Sequence, residues 1–216
     1  MRRLLVLFSV LFILSSVNVS YADSVLTSTE FYIFYNTNPN VKKASKSNGV
    51  LTEDLIEYLL NDSEPVGDKV ALINAISWGE DNFPNFLSSL AKKHGVKIDS
   101  NDSVNKLISK SSASDITCLA YILAMDKYKE KEFISDAQQL IFEAYTRDSG
   151  SSKAIMAVYA LISCHMLQLN FSWCEVYLVA NALLDNDNIK LNNDFRQECI
   201  TAILSYTNLY FKHCQE

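Results

Sequence analysis

Residues 112–126 have the sequence SASDITCLAYILAMD, and this stretch decides the fold class of the chain. Ser112 and Asp115 form a capping pair, in which the serine oxygen can accept a backbone N–H group of the first helical turn. Apolar residues then recur from Ile116 at steps of three and four residues, as they do on one face of an α-helix. We therefore predict an amphipathic helix that begins directly after Ser112.

Similar signals on both sides of this stretch predict a series of helices. Gly150 is the only glycine after Gly95, and every proline precedes residue 85, so few residues can interrupt helices in the later part of the chain. Ser172 and Glu175 form a second capping pair. The predicted helices cover residues 52–60, 66–78, 82–95, 103–110, 112–124, 133–147, 152–169, 172–184 and 193–214. We expect an all-α protein, built as an irregular bundle or a stack of α-hairpins with about eight to nine helices.

Residues 24–36 differ from this helical body because aromatic and β-prone side chains are concentrated there, with the sequence EFYIFY at 30–35. Such a pattern fits a strand, a short helix or an arm packed on the body. Residues 37–50 show no apolar periodicity and contain asparagine, proline, serine and glycine, which favours a loop. We expect a short extended N-terminal arm and a polar loop over residues 23–50, followed by a helical domain over residues 51–216.

The first 22 residues have the pattern of a secretory signal peptide. Two arginines precede an apolar run over residues 4–17, and the small residue Ala22 stands at the last position before the expected cut. At about 1.5 Å per residue, the run is shorter than a bilayer core of about 30 Å. We predict a signal peptide over residues 1–22, export, and no stable membrane insertion after cleavage. The periplasm is the expected destination, with the extracellular space second.

The balance of charges argues against one class of partner. The chain has 19 basic and 25 acidic side chains, and removal of residues 1–22 would leave 17 basic side chains against 25 acidic ones, a net charge of −8. Nucleic-acid binding depends on lysine and arginine that neutralise phosphates. We therefore expect no nucleic-acid partner.

The cysteines predict a disulfide bond, because an exported chain enters an oxidising compartment. If the predicted helices on either side of Asn170 form a hairpin, Cys164 and Cys174 lie equally far from its turn. A final antiparallel helix would return Cys214 to the same end. We predict the bond Cys174–Cys214 first and Cys164–Cys174 second, the alternative being that these are small apolar core residues. The five cysteines are Cys118, Cys164, Cys174, Cys199 and Cys214.

Signatures of catalysis are absent from the sequence. It contains no HExxH, no GxSxG and no glycine-rich phosphate loop. Cys164 and Cys214 each precede a histidine, but neighbouring side chains on a helix point about 100° apart, so neither pair suits a zinc ion. We expect a protein that is not an enzyme, with no catalytic residues, no cofactor and no metal site.

These observations favour a protein that binds another protein, as an accessory protein or an immunity-type inhibitor of the cell envelope. Paired helices form grooves that can accept a helix or an extended peptide. Exposed aromatic side chains, and carboxylates in a tight turn after a tryptophan, are the candidate contacts. These candidates are Phe31, Tyr32, Phe34, Tyr35, Trp78, Glu80 and Asp81.

The alternative is a periplasmic protein that binds or hydrolyses a small ligand at a site built from carboxylates. Glu80, Asp81 and Asp126 are the candidates for such a site. A deep pocket that groups them with His94 or Tyr128 would favour this alternative, whereas a shallow apolar groove would favour partner binding.

Overall fold

The computed structural model describes residues 24–77, 79, 81–185 and 192–215. Within these ranges the chain forms eleven α-helices and two 3₁₀ helices, and the described residues include no strand, only one isolated bridge between Ser152 and Asn192. The prediction of an all-α, bundle-like protein is therefore confirmed. The predicted signal peptide, Trp78 and Glu80 lie outside the described residues.

The helices follow one another with short connections. In chain order they are α1 (Val25–Ser28), α2 (Pro39–Ala44), α3 (Glu53–Leu60), α4 (Val66–Ile76), α5 (Asn82–His94), α6 (Asn101–Lys110), α7 (Ala113–Asp126), α8 (Lys131–Arg147), α9 (Lys153–Leu169), α10 (Trp173–Leu184) and α11 (Gln197–Thr207). The first 3₁₀ helix spans Phe31–Tyr35 and the second spans Asn208–Cys214.

The expected count of eight to nine helices was too low because the N-terminal segment is helical. The extended arm is wrong: residues 25–28 and 31–35 form α1 and the first 3₁₀ helix. The polar loop is also interrupted, since α2 begins at Pro39 and the side chain of Asn38 accepts the N–H group of Asn40 at 2.9 Å. Packing explains the difference, because Phe31 and Tyr35 are both buried and the tight 3₁₀ turn directs both side chains into the core.

Three helices form the centre of the molecule. Eleven of the fourteen residues of α7, twelve of the seventeen of α9 and nine of the eleven of α4 are buried. Helix α7 packs against α8 and α5, and α9 packs against α8 and α10. The predicted capping pair at Ser112 is formed, with the Asp115 N–H donating to Ser112 Oγ at 3.1 Å.

The end of the chain differs from the single helix predicted over residues 193–214. Helix α11 stops at Thr207, and the second 3₁₀ helix follows. The Thr207 hydroxyl lies 3.2 Å from the carbonyl oxygens of both Ile203 and Leu204, and such side-chain bonds compete with the backbone for the last turn of a helix.

The second 3₁₀ helix packs against α10, and Cys214 lies at disulfide distance from Cys174 there. Their Cα atoms are 4.8 Å apart, and a bond between them closes a separation of 40 residues. This is the pair that the sequence analysis placed first. Cys118, Cys164 and Cys199 are free and buried.

Helix α9 has three buried polar side chains, and two of them, His165 and Gln168, bond to backbone groups of other segments. His165 Nε2 lies 2.6 Å from the carbonyl oxygen of Tyr128, and the Gln168 carboxamide accepts the N–H group of Val25 at 3.0 Å. Burial lowers the pKa of His165, and its hydrogen bonds to Tyr128 and Gln168 oppose that shift only in part.

We predict that alkylation counts will report the disulfide. Protein exported by its native host and denatured without reductant should react at three thiols, and at five after reduction, because only the bond between Cys174 and Cys214 protects sulfur once the core is unfolded. Mass spectrometry after iodoacetamide treatment measures both counts. Five labelled thiols before reduction would contradict the pairing.

We also predict a loss of stability in mild acid that depends on His165. Burial lowers the pKa of the His165 imidazole in the folded state. The neutral imidazole therefore stabilises the fold above the pKa of the unfolded state, about 6.5, and this stability is lost as the pH falls through the pKa of the folded state. Urea unfolding of wild type and His165→Gln between about pH 7.5 and pH 5 tests this. Between these pH values the variant should lose less unfolding free energy than wild type. Equal losses would show that His165 does not cause the acid destabilisation.

Candidate functional site

The aromatic stretch that the sequence analysis proposed as a contact surface belongs mostly to the core. Phe31 is fully buried and Tyr35 is 3% exposed. The Phe31 ring meets the Phe195 ring edge-on, with centroids 5.3 Å apart. Tyr32 and Phe34 are partly buried against the same core. Phe31 and Tyr35 are therefore structural residues, and their expected role in a partner surface was wrong.

The candidate carboxylates do not assemble into one site among the described residues. Asp126 is the last residue of α7, and its side chain contacts the start of α5. Its oxygens accept the Phe83 N–H group at 2.6 Å and the Asn82 side-chain amide at 3.2 Å. His94 ends the same helix, about 18 Å away at 1.5 Å per residue. Asp81 is exposed and makes no capping bond. Asp126 thus caps α5 from a neighbouring helix.

His94 and Tyr128 have structural surroundings of their own. His94 Nε2 lies 3.3 Å from Asp115 Oδ2, and the Lys93 ammonium group donates to Oδ1 of the same carboxylate at 3.1 Å. Tyr128 is 8% exposed, and its ring lies beside that of His165. The deep pocket that would group these residues with Asp126 is not formed by the described part of the chain.

Helix α10 is the unexpected feature of the surface. Ten of its twelve residues are apolar, yet only Val176 and Ala180 are buried. Between Ala154 and Leu184 the only charged residue is Glu175. In α9 this composition fills the core, whereas in α10 most of the apolar side chains are only partly buried, and Leu178 is 53% exposed.

A shallow apolar groove runs beside α10, with α9 as its floor and α8 as its far wall. Its volume is about 390 Å³. Gln138 and Ser163, which line it together with the Tyr159 ring and five apolar residues, lie within hydrogen-bond distance of each other at 3.3 Å. The exposed ring of Phe142 extends the wall, with its centroid 6.1 Å from that of Tyr159. The groove residues are Gln138, Tyr159, Ser163, Met166, Leu167, Val179, Ala182 and Leu183.

An aromatic cluster lies at the start of α10, next to Cys174 and Cys214. The rings of Trp173 and Tyr210 stack at 5.7 Å, and Phe171 meets Trp173 edge-on at 5.9 Å. Phe171 is 73% exposed. We call the exposed side of α10, the groove and this cluster (Phe171, Trp173 and Tyr210) the α10 surface.

Sequence reasoning missed the α10 surface, although one signal for it was present. Residues 172–184 are apolar on every side of a helix, and such a helix is either buried all round or part of an interface. The pattern predicts the helix correctly but does not tell which of these two environments it occupies.

Comparisons with known proteins do not add to this geometry. No known family model matches the chain, and neither the curated proteins nor the solved structures include one that is significantly similar to it. Among the described residues, no helix combines the length and the apolar character needed to cross a membrane. The same residues contain no cluster of three or more side chains suited to hold a metal ion.

We predict that Asp126 stabilises the folded protein because its side chain caps α5. Burial raises the pKa of its carboxyl group, and the N–H group of Phe83 and the amide of Asn82 oppose that shift. Loss of a capping side chain costs about 1–2 kcal/mol, so Asp126→Ala should lower the unfolding free energy by that amount in urea titrations. Asp136→Ala, which removes an exposed carboxylate within α8, is the control and should stay within about 0.5 kcal/mol of wild type. Equal stability of the two variants would contradict the cap.

Proposed function

We propose that the protein is exported and binds another protein through the α10 surface, as an accessory protein or an immunity-type inhibitor of the cell envelope. The observation that carries this proposal is the incomplete burial of α10, an apolar helix with two fully buried residues out of twelve, beside the exposed side chains of Phe142, Phe171 and Leu178. Large contiguous apolar patches on a folded protein are typical of interaction sites, since exposed apolar area gains about 25 cal/mol per Å² when a partner covers it.

The shape of the α10 surface favours a helical segment of the partner. Its groove is open, apolar and bounded by two helices, which is the arrangement that receives the apolar face of an amphipathic helix. Tyrosine, tryptophan and phenylalanine, which form the adjacent cluster, are the side chains that most often anchor an interface.

The net charge of the two helices that wall the groove favours a basic partner. Helices α8 and α10 carry four acidic side chains, Glu132, Asp136, Glu143 and Glu175, against two basic ones. One of the two, Arg147, already donates to Glu143 at 2.7 Å. A partner whose apolar stripe is flanked by lysine and arginine would complement this net charge and would approach faster at low ionic strength.

Export is supported by the amino-terminal pattern and by the cysteines. Cys174 and Cys214 at disulfide distance suit an oxidising compartment, of which the periplasm is the first choice and the extracellular space the second. A cut after Ala22 would leave one residue before Ser24, the first buried residue of the described chain. Processing there would remove the predicted signal and leave the described fold intact.

We predict that one exposed leucine controls binding. Leu178→Glu places a charge on the α10 surface and should reduce capture of the partner from native envelope extracts at least about tenfold. Ile33→Glu makes the same change at a position of similar exposure, 50% against 53%, on the first 3₁₀ helix. It is the matched control and should capture as wild type does. Quantitative mass spectrometry of the captured proteins measures both.

The result separates the possible outcomes. A stoichiometric partner lost with Leu178→Glu and kept with Ile33→Glu supports the α10 surface, and a partner kept by both variants excludes it. When the captured partner is a toxin, stoichiometric inhibition of its activity by the wild-type protein distinguishes an immunity-type inhibitor from an accessory protein.

A further inference from the structure

The bonded cysteines lie closer to the surface than the three free ones. Cys174 and Cys214 are both partly exposed, whereas Cys118, Cys164 and Cys199 are buried. Thiol–disulfide exchange requires that a thiolate reaches a disulfide sulfur. The bond between Cys174 and Cys214 is therefore the part of the cysteine chemistry that a thiol in solution can approach.

Cys174 occupies a position that stabilises a thiolate. It is the second residue of α10, a helix of twelve residues. The side chain of Ser172 makes no cap bond at this end, so it does not compete for the partial positive charge of the first-turn N–H groups. A cysteine at a helix N-terminus forms its thiolate more readily than one in an unfolded chain. Cys174 is therefore the better leaving group of the two.

The surroundings of Cys214 favour its sulfur as the point of attack. Lys212 stands two residues before it and is exposed. A positive charge beside a sulfur attracts an incoming thiolate. Attack on Cys214 also expels the Cys174 thiolate, and a more stable leaving thiolate makes exchange faster. Both effects select the same sulfur.

The segment that ends at Cys214 is held on α10 by side chains at the surface. None of the seven residues of the second 3₁₀ helix is buried, and Phe211 is 45% exposed. The Phe211 ring lies 5.0 Å from that of Tyr177, and Gln168 donates to the Tyr210 hydroxyl at 2.6 Å. A 3₁₀ helix longer than about four residues is uncommon because its hydrogen bonds are poorly aligned. The covalent bond is therefore the main anchor of this segment.

We propose that Cys174–Cys214 is an exchange-active disulfide, which the thiolate of a small thiol opens by attack on Cys214, so that the second 3₁₀ helix leaves α10. The attacking sulfur forms a bond to Cys214 Sγ, and the electron pair of the broken S–S bond leaves with Cys174 Sγ. One disulfide replaces another, so the thiolate is the only reagent needed. Opening uncovers the side of α10 that carries Trp173 and Tyr177. The inference rests on this bond and not on the proposed partner binding, so either can fail without the other.

Reduced glutathione is the probe for the direction of attack. The oxidised mature protein is mixed with glutathione, the reaction is stopped early with N-ethylmaleimide, and tandem mass spectrometry locates the glutathione. Adducts at Cys214 should exceed adducts at Cys174 at least about threefold, because α10 stabilises the leaving thiolate. The reference is a pair of peptides, residues 172–177 and 211–216, joined by the same bond. It keeps the neighbouring side chains without the helix and should show a smaller preference.

A charge change in the first turn of α10 tests the role of the helix terminus. Glu175 is exposed there, and its carboxylate opposes both the incoming thiolate and the Cys174 thiolate. Glu175→Gln should therefore exchange with glutathione at least about twice as fast as wild type. Glu132→Gln removes an exposed carboxylate in the first turn of α8 and is the matched control, which should exchange at the wild-type rate.

Amide signals of the ¹⁵N-labelled protein follow the release of the segment. After reduction with dithiothreitol, and in Cys214→Ser, the signals of residues 208–215 should move to random-coil positions while those of α7 and α9 stay in place. The proposal is overturned if glutathione attaches mainly to Cys174, if the peptide pair shows the same preference as the protein, or if Glu175→Gln is no faster than Glu132→Gln. It is also overturned if the second 3₁₀ helix stays in place after reduction, or if reduction unfolds the whole domain.

Discussion

Two buried side-chain amides, Asn74 of α4 and Gln168 of α9, hold the N-terminal segment inside the molecule. Asn74 accepts the Tyr32 N–H group at 3.0 Å and donates to the Tyr121 hydroxyl at 3.1 Å. Gln168 accepts the Val25 N–H group at 3.0 Å and lies 2.6 Å from the Tyr210 hydroxyl. A buried backbone group without such a partner costs about 1–3 kcal/mol.

The two amides also fix the surroundings of the surface features. Asn74 holds the first 3₁₀ helix against α4. Gln168 reaches Tyr210, whose ring stacks on Trp173, so the same side chain supports the aromatic cluster at the start of α10.

The sequence was sufficient to predict the parts of the fold that follow from local physics. Periodicity located the nine α-helices that the structure describes from residue 52 onward. The cap at Ser112 is formed, and the placement of Cys174 opposite Cys214 followed from the expected hairpin. The predicted cap at Ser172 is not formed, because that residue follows a left-handed turn and has ψ 66°.

The parts that depend on tertiary contacts were not predictable in the same way. The segment 30–35 has strand propensity, and only burial of Phe31 against Phe195 decides for a 3₁₀ turn. The pair Asn38–Pro39 is a local signal for the start of a helix. The polar composition of the surrounding residues led to the prediction of a loop instead. The groove beside α10 joins residues from three separate helices, so no single stretch of sequence carries its pattern.

The turn before α10 serves the fold through its backbone and leaves its side chain in solvent. Phe171 has φ 59°, a left-handed conformation that glycine or asparagine adopts at lower cost. This turn ends α9, because the N–H groups of Phe171 and Ser172 donate to carbonyl oxygens in the last turn of that helix, each at 3.0 Å. The phenyl ring is 73% exposed and meets the edge of the Trp173 ring. Under the proposed partner binding, a partner that covers Phe171 would recover the exposed area, while the bond between Cys174 and Cys214 keeps the start of α10 in place.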